Sequence, residues 1–228
     1  MKKIAILGVG PGLGMSMAHR FGREGFTTAL VSRTDVRHAG YRAALAEAGI
    51  EATTHVADVA EPERVLAEIG EADVVYYGPA ATTVDLVPLP DASVAQVTGM
   101  LDSTVGPAVA VARAVLPGML ARGDGALLFA GGLSGKYTMP MLGTLAPASA
   151  ALRSYVLTLA AALADSGVYA ATLTIGGLIE RGDIHRMMGD GIPTLDPDAI
   201  ADTAWQLYVS RDRNEEEFIT PGLLQSTP

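Results

Sequence analysis

Seven short apolar runs punctuate the chain, and several of them are apolar throughout rather than at alternate positions. They are KIAILGV (3–9), TTALVS (27–32), EATTHVA (51–57), ADVVYY (72–77), GALLFA (125–130), VYAATLTI (168–175) and EFIT (217–220). Runs of this kind predict strands of a parallel sheet covered on both faces. Between them the spacing turns helical, at about 13–24, 37–48, 62–70, 92–120, 147–165 and 197–210. The first of these sets Leu13, Met17, Ala18 and Phe21 on one face, and the fifth is rich in alanine and leucine. Strand and helix alternate with no linker or internal repeat. The pattern therefore predicts one domain over residues 1–228, an α/β Rossmann-like fold: a doubly wound parallel sheet of about seven strands with right-handed crossovers.

Composition narrows the partners. Sixteen basic against twenty-five acidic side chains give a net charge of −9. Nucleic acid, which needs a basic stripe, is not expected to bind. Cysteine is absent, which removes disulfides and thiolate chemistry and fits a reducing compartment. The start MKKIAILGVG is too soon interrupted by Gly10, Pro11 and Gly12 for a signal peptide, and the run VYAATLTIGGLI is too short for a bilayer. A cytoplasmic protein with no membrane partner is expected. The histidines His19, His38 and His55 lie on separate elements without ligand spacing, so no metal site is expected.

The stretch AILGVGPGLG carries the first chemistry. Gly8, Gly12 and Gly14, with Gly10 between them, join a buried strand to a helix. Glycines allow a tight turn and close backbone approach, and the helix start presents unpaired N–H groups to a phosphate. The second strand ends in VSRTD, where dinucleotide folds read the adenosine ribose. An acid there binds a 2′-hydroxyl, whereas an arginine accepts a 2′-phosphate. Ser32 stands in the acid's place and Arg33 follows it, which favours NADP (NADPH) over NAD. Asp35 is near enough to keep NAD open.

With GVGPGLG, Asp58-Val59, DVVYYGPA, GPAVAVARAVLPGML, GALLFAGGLSG and TIGGLIE in this order, the chain resembles the short-chain dehydrogenase/reductase family along nearly its whole length. The resemblance implies a nicotinamide nucleotide across the C-terminal edge of the sheet. Gly8, Gly12, Leu13 and Gly14 would touch its pyrophosphate, Arg33 the ribose phosphate, Asp58 and Val59 the adenine. Gly177 and Ile179 would lie beside the nicotinamide. The resemblance further implies a homodimer or homotetramer through the two long helices at 92–120 and 147–165.

The same resemblance breaks at the family's catalytic set of asparagine, serine and a Tyr-x-x-x-Lys pair. By register these positions fall on Ser103, Gly132, Leu145 and Ser149, and YGPA (77–80) replaces the NNAG motif. No Tyr-x-x-x-Lys occurs anywhere, the lysines being Lys2, Lys3 and Lys136. This marks the chain as an atypical, degenerate member. Reduction of a ketone needs a proton donor for the developing alkoxide, and Leu145 supplies none. Hydride addition to an iminium yields a neutral amine directly and avoids that need, so a pre-activated acceptor is expected: an imine, an iminium or a conjugated carbonyl. A carboxylate to steady a cation would then come from Asp102, Glu180 or Asp183, and Tyr137 beside Lys136 is a candidate acid. The expected substrate is a small molecule. Two further readings stand beside the reductase: a non-redox cyclase or isomerase on the same scaffold, and a nucleotide-binding module without catalysis. His185, Met187 and Met188 fall in a segment expected to cover the substrate.

Overall fold

A computed structural model describes residues 1–79, 86–189 and 191–226 of the chain. In order it holds β1 (Lys3–Leu7), α1 (Leu13–Arg23), β2 (Thr27–Ser32), α2 (His38–Glu47), β3 (Ala52–Val56), α3 (Pro62–Ile69) and β4 (Val74–Tyr77). After these come α4 (Val94–Arg122), β5 (Gly125–Gly132), α5 (Leu145–Ala162), β6 (Val168–Gly176), β7 (Leu178–Ile179), α6 (Asp183–Met188), β8 (Thr194–Leu195), α7 (Pro197–Ser210) and β9 (Glu215–Ile219). Seven strands pair in the order β3-β2-β1-β4-β5-β6-β9, every neighbour parallel. The chain leaves β1 in one direction and resumes at β4 in the other. The strand ends at that reversal therefore open a crevice.

Successive side chains of a strand point to opposite faces, and two cores follow from that. Ile4 and Ile6 pack with Leu30, Tyr76, Leu128 and Leu173 under α1 and α7. Ala5 and Leu7 pack with Val31, Tyr77, Leu127 and Phe129 under α3, α4 and α5. The α1–α7 contact is locked by aromatic rings: Phe21 meets Trp205 edge-on at 5.2 Å, and Phe26 meets Tyr208 at 5.8 Å.

Local chemistry fixes the helix ends. Ser93 and Gln96 form a capping box at the start of α4, and Gly123 ends it in the left-handed conformation with φ 64°. Pro197 and the Asp196 side chain start α7. Helix α5 begins at Leu145, earlier than the expected 147, because Pro147 lies in the first turn, where an amide hydrogen has no helical acceptor to lose. Strand β9 begins two residues earlier than its apolar run, at Glu215 and Glu216. It is an edge strand, and Glu215 is held there by Arg153 of α5. The two-stranded β7–β8 sheet and α6 were not expected, since runs of two and six residues carry no readable period.

Helices α4 and α5 are long and apolar enough to cross a membrane by length and composition alone. Each packs one face on β5, and the two pack on one another. On the outer face of α4, Val94, Val109 and Leu120 are exposed.

Candidate functional site

One cavity of about 1120 Å³ runs along the C-terminal strand ends. Its wall takes Gly8–Gly10 after β1, Ser32–Thr34 after β2, Ala57–Ala60 after β3, Tyr77 and Pro79 around the end of β4, and Ala130–Gly132 of β5. Helices α4 and α5 close the far end with Ser103, Thr104, Pro107, Leu145, Ser149 and Leu152. Switch-point crevices of this kind are the usual ligand sites of open parallel sheets.

The glycine loop is built for close approach. Gly8 has φ +92°, and a Cβ there would lie 2.6 Å from the Pro79 backbone. The amides of Gly8 and Val9 both donate to the Val31 carbonyl, at 3.0 and 2.8 Å, which pins the loop to the end of β2. Gly10 faces open space: a Cβ on it would meet nothing within 4 Å. Helix α1 starts without a side-chain cap and without an acidic residue in its first turn. An uncapped helix start beside an open glycine suits a phosphate. Gly12, Leu13 and Gly14 are not in the cavity wall. A Cβ on Gly12 would sit 2.9 Å from the Ile179 side chain and 3.0 Å from the Glu180 carbonyl, so the segment after β7 rests on the helix start. Ile179 thus packs on the loop instead of lining the cavity. Gly177 turns toward Thr220 and Leu195.

At the β2 end, Ser32 Oγ lies 2.7 Å from His38 Nε2 and donates to the Thr34 carbonyl at 2.8 Å. Arg33 is exposed on the cavity wall with no ion-pair partner among the described residues. Arg37 forms a two-pronged pair with Asp183, Nη1 to Oδ2 at 2.8 Å and Nη2 to Oδ1 at 2.7 Å. The pair drives the Arg37 pKa up and holds the Asp183 carboxyl below its usual range. Asp58 lines the cavity and accepts from the Ala60 amide at 2.9 Å, leaving its second oxygen for a ligand.

The α4–α5 end is almost free of charge. Ser103, Gly132, Leu145 and Ser149 share its wall, as the register reading expected. A Cβ on Gly132 would lie 2.9 Å from Ser149 Oγ. Ser103 Oγ donates to the Met100 carbonyl at 3.1 Å. Pro107 has no amide hydrogen, so the Ser103 carbonyl four residues earlier loses its helical donor. Burial pushes the Tyr77 hydroxyl well above the usual phenol range, and its ring packs on Phe129 at 5.8 Å. Of the motif at 77–80, Ala80 lies outside the described residues.

Two expected catalytic residues are elsewhere. The α4 wall runs Gly99, Met100, Ser103, Thr104, Pro107, the stripe of one helix face, and Asp102 falls off that stripe into solvent. Tyr137 and Lys136, expected beside the substrate, both reach Glu217 on β9, outside the cavity wall. The contact with Glu217 raises the Tyr137 pKa, which weakens it as an acid. Glu180 is exposed and outside the cavity wall too. Arg37, Tyr41 and Ile184, which line the cavity, were not expected there, and no local pattern in the sequence pointed to them.

Comparison with known proteins agrees with this geometry. The sequence model described as short chain dehydrogenase matches residues 2–180. None of the curated proteins matches the chain. Among solved structures, acetoin dehydrogenase from Salmonella typhimurium superposes with a TM-score of 0.82 at 17% identity, covering 100% of this chain and 99% of that one. Alcohol dehydrogenase from Thermococcus sibiricus, complexed with 5-hydroxy-NADP, gives 0.77 at 23% identity over 100% and 99%. L-Sorbose reductase from Gluconobacter frateurii, complexed with NADPH and L-sorbose, gives 0.77 at 21% over 99% and 97%.

Proposed function

The chain belongs to the short-chain dehydrogenase family, and from that premise we propose that it is an NADP-dependent reductase of a pre-activated acceptor, working without the family's tyrosine acid. The fold and the family make it an oxidoreductase. Two of the similar structures hold NADP-type nucleotides. The open Gly10, and Arg33 with no ion-pair partner among the described residues, fit such a cofactor here. When bound, the cofactor supplies the hydride.

The observation that carries the reading is the wall made by Ser103, Gly132, Leu145 and Ser149. None of the four releases a proton near neutral pH. An alkoxide would therefore go unneutralised by the protein. An iminium needs no such proton: as the carbon gains hydride, the C=N π pair moves to nitrogen and cancels its charge. The polar side chains at this end are the hydroxyls of Ser103, Thr104 and Ser149, whose oxygen lone pairs suit a cation. Ser149 Oγ orients the acceptor, while Leu145 and Leu152 exclude water. A conjugated carbonyl is the second class: hydride at its β-carbon leaves an enolate, a weaker base than an alkoxide, which takes its proton from solvent.

The exposed Val94, Val109 and Leu120 of α4 support a homodimer or homotetramer formed through the α4–α5 face. The test is a titration with NADPH and NADH, followed by NADPH oxidation assays on cyclic imines and enones. Micromolar NADPH binding and turnover of either class support the reading. Binding without turnover of any acceptor would move the protein to a nucleotide-binding module. Turnover of a substrate without nucleotide would favour the cyclase or isomerase.

A further inference from the structure

We propose that Arg37 and Asp183 form a charge latch across the cleft, opened by the 2′-phosphate of NADPH and left shut by NADH. The inference rests on the NADP reading above and adds a second phosphate-reading residue to Arg33. Arg37 is the last residue before α2, and Asp183 is the first of α6. Though 146 positions apart in sequence, they meet through both guanidinium prongs on the wall of one cavity. Arg33 stands four residues before Arg37 on that same wall, without a counter-ion among the described residues. The charge around Asp183 is otherwise positive, since Arg186 of α6 also acts on it.

The latch is the charged tie of α6 to α2. The segment before it is anchored separately, by Arg181 to Asp198 at 2.8 Å and to Ser16 at 3.2 Å. Helix α6 itself buries none of its residues and exposes Met187 and Met188. Freed of Arg37, Asp183 loses its ion-pair partner at the start of α2, and α6 is then held through the anchored segment before it.

A phosphate monoester carries roughly −1.5 to −2 charges and takes an arginine fork as a carboxylate does. Placed between Arg33 and Arg37, it competes for the Arg37 guanidinium and repels the Asp183 carboxylate. Both effects part the pair. The 2′-hydroxyl of NADH carries no charge and does neither. Coupling of this kind is reciprocal: what opens the latch binds more tightly once the latch is gone.

Asp183→Asn, Arg37→Gln and the exchanged pair Arg37→Asp with Asp183→Arg test it, by calorimetry with NADPH and NADH and by amide hydrogen exchange over 183–189. Asp183→Asn should bind NADPH about fivefold more tightly or better, with NADH unchanged. Arg37→Gln should lose about tenfold for NADPH alone. In the unaltered protein NADPH, not NADH, should speed exchange in α6. The exchanged pair should keep α6 protected with either nucleotide. Equal effects of Asp183→Asn on both nucleotides, or α6 exchange indifferent to NADPH, would overturn the latch while leaving NADPH binding intact. Failure of the unaltered protein to bind NADPH would remove the cofactor reading and the latch together.

Discussion

Ser149 Oγ stands 2.9 Å from the point where a side chain on Gly132 would begin. A glycine on β5 thus makes room for a serine on α5, and the two positions define one wall of the cavity. Gly132→Ala must push the hydroxyl aside, at a cost of about 1 kcal/mol. Pairing it with Ser149→Ala should recover most of that loss. Denaturation of the single and double variants reads the coupling, and additive losses would show the positions to be independent.

The same wall predicts a gain of activity. Gly132→Ser, Leu145→Tyr and Ser149→Lys together install a hydroxyl, a phenol and an ammonium on neighbouring sites of one cavity. An adjacent ammonium lowers a phenol pKa toward the working range of a general acid. The triple variant should reduce simple ketones with NADPH, where the unaltered protein should not. Steady-state NADPH oxidation with a small ketone checks it. Ketone turnover by the unaltered protein would contradict the reading of this wall.

How much of this was legible beforehand depends on length of pattern. Strand β2 (Thr27–Ser32) falls where its apolar run placed it, and helix α7 (Pro197–Ser210) where its helical spacing did, long enough at 14 residues to show a repeat. Ser103, Gly132, Leu145 and Ser149 share one wall because β5 delivers Gly132 to the C-terminal edge and α4 and α5 pack against that strand and each other. Asp102 failed because one residue on a helix turns a side chain by about 100°, finer than a reading from boundaries resolves. The Arg37–Asp183 pair joins loops 146 residues apart, and no local pattern reports such a contact. Tyr137 was misjudged because its partner, Glu217, lies on a strand whose pairing only the fold reveals.

Gly8 and Gly10 should behave oppositely, although both sit in one loop. Gly8→Ala faces a φ of +92° and a 2.6 Å approach to the Pro79 backbone, neither of which a flexible side chain can relieve. It should destabilise the fold by about 2 kcal/mol or more. Gly10→Ala meets no atom within 4 Å and should change stability by less than about 0.5 kcal/mol. Its methyl nevertheless enters the space offered to a phosphate, so NADPH affinity should fall. Gly10→Ala with unchanged NADPH affinity would place the phosphates elsewhere.

Arg33 tests the choice between nucleotides. It is exposed on the cavity wall and has no ion-pair partner among the described residues, so its loss leaves no buried charge behind. Arg33→Ala should weaken NADPH by about tenfold, or ~1.4 kcal/mol, and leave NADH and the melting temperature unchanged. Equal weakening of both nucleotides would mean that Arg33 reads a group they share.

Glu215 links the sheet edge to pH. Arg153 grips it with Nε at 2.7 Å and Nη2 at 2.6 Å, and Thr174 donates to it at 2.7 Å. The Arg153 guanidinium, more than any other group, holds the Glu215 carboxyl below its ordinary value of 4.5. A carboxyl with a depressed folded pKa contributes stability above its unfolded value and loses it as pH falls through the folded one. Near neutral pH the protein should therefore be more stable than its Glu215→Gln variant, by about 1 kcal/mol for a partly buried fork. That gap should narrow once pH drops below 4.5 and close when the carboxyl is protonated in both states. Because β9 is the edge strand and β6 is its neighbour, the loss should appear first as faster amide exchange along β9. A gap that stayed constant into acid would trace the stability to the shape of the side chain and not to its charge.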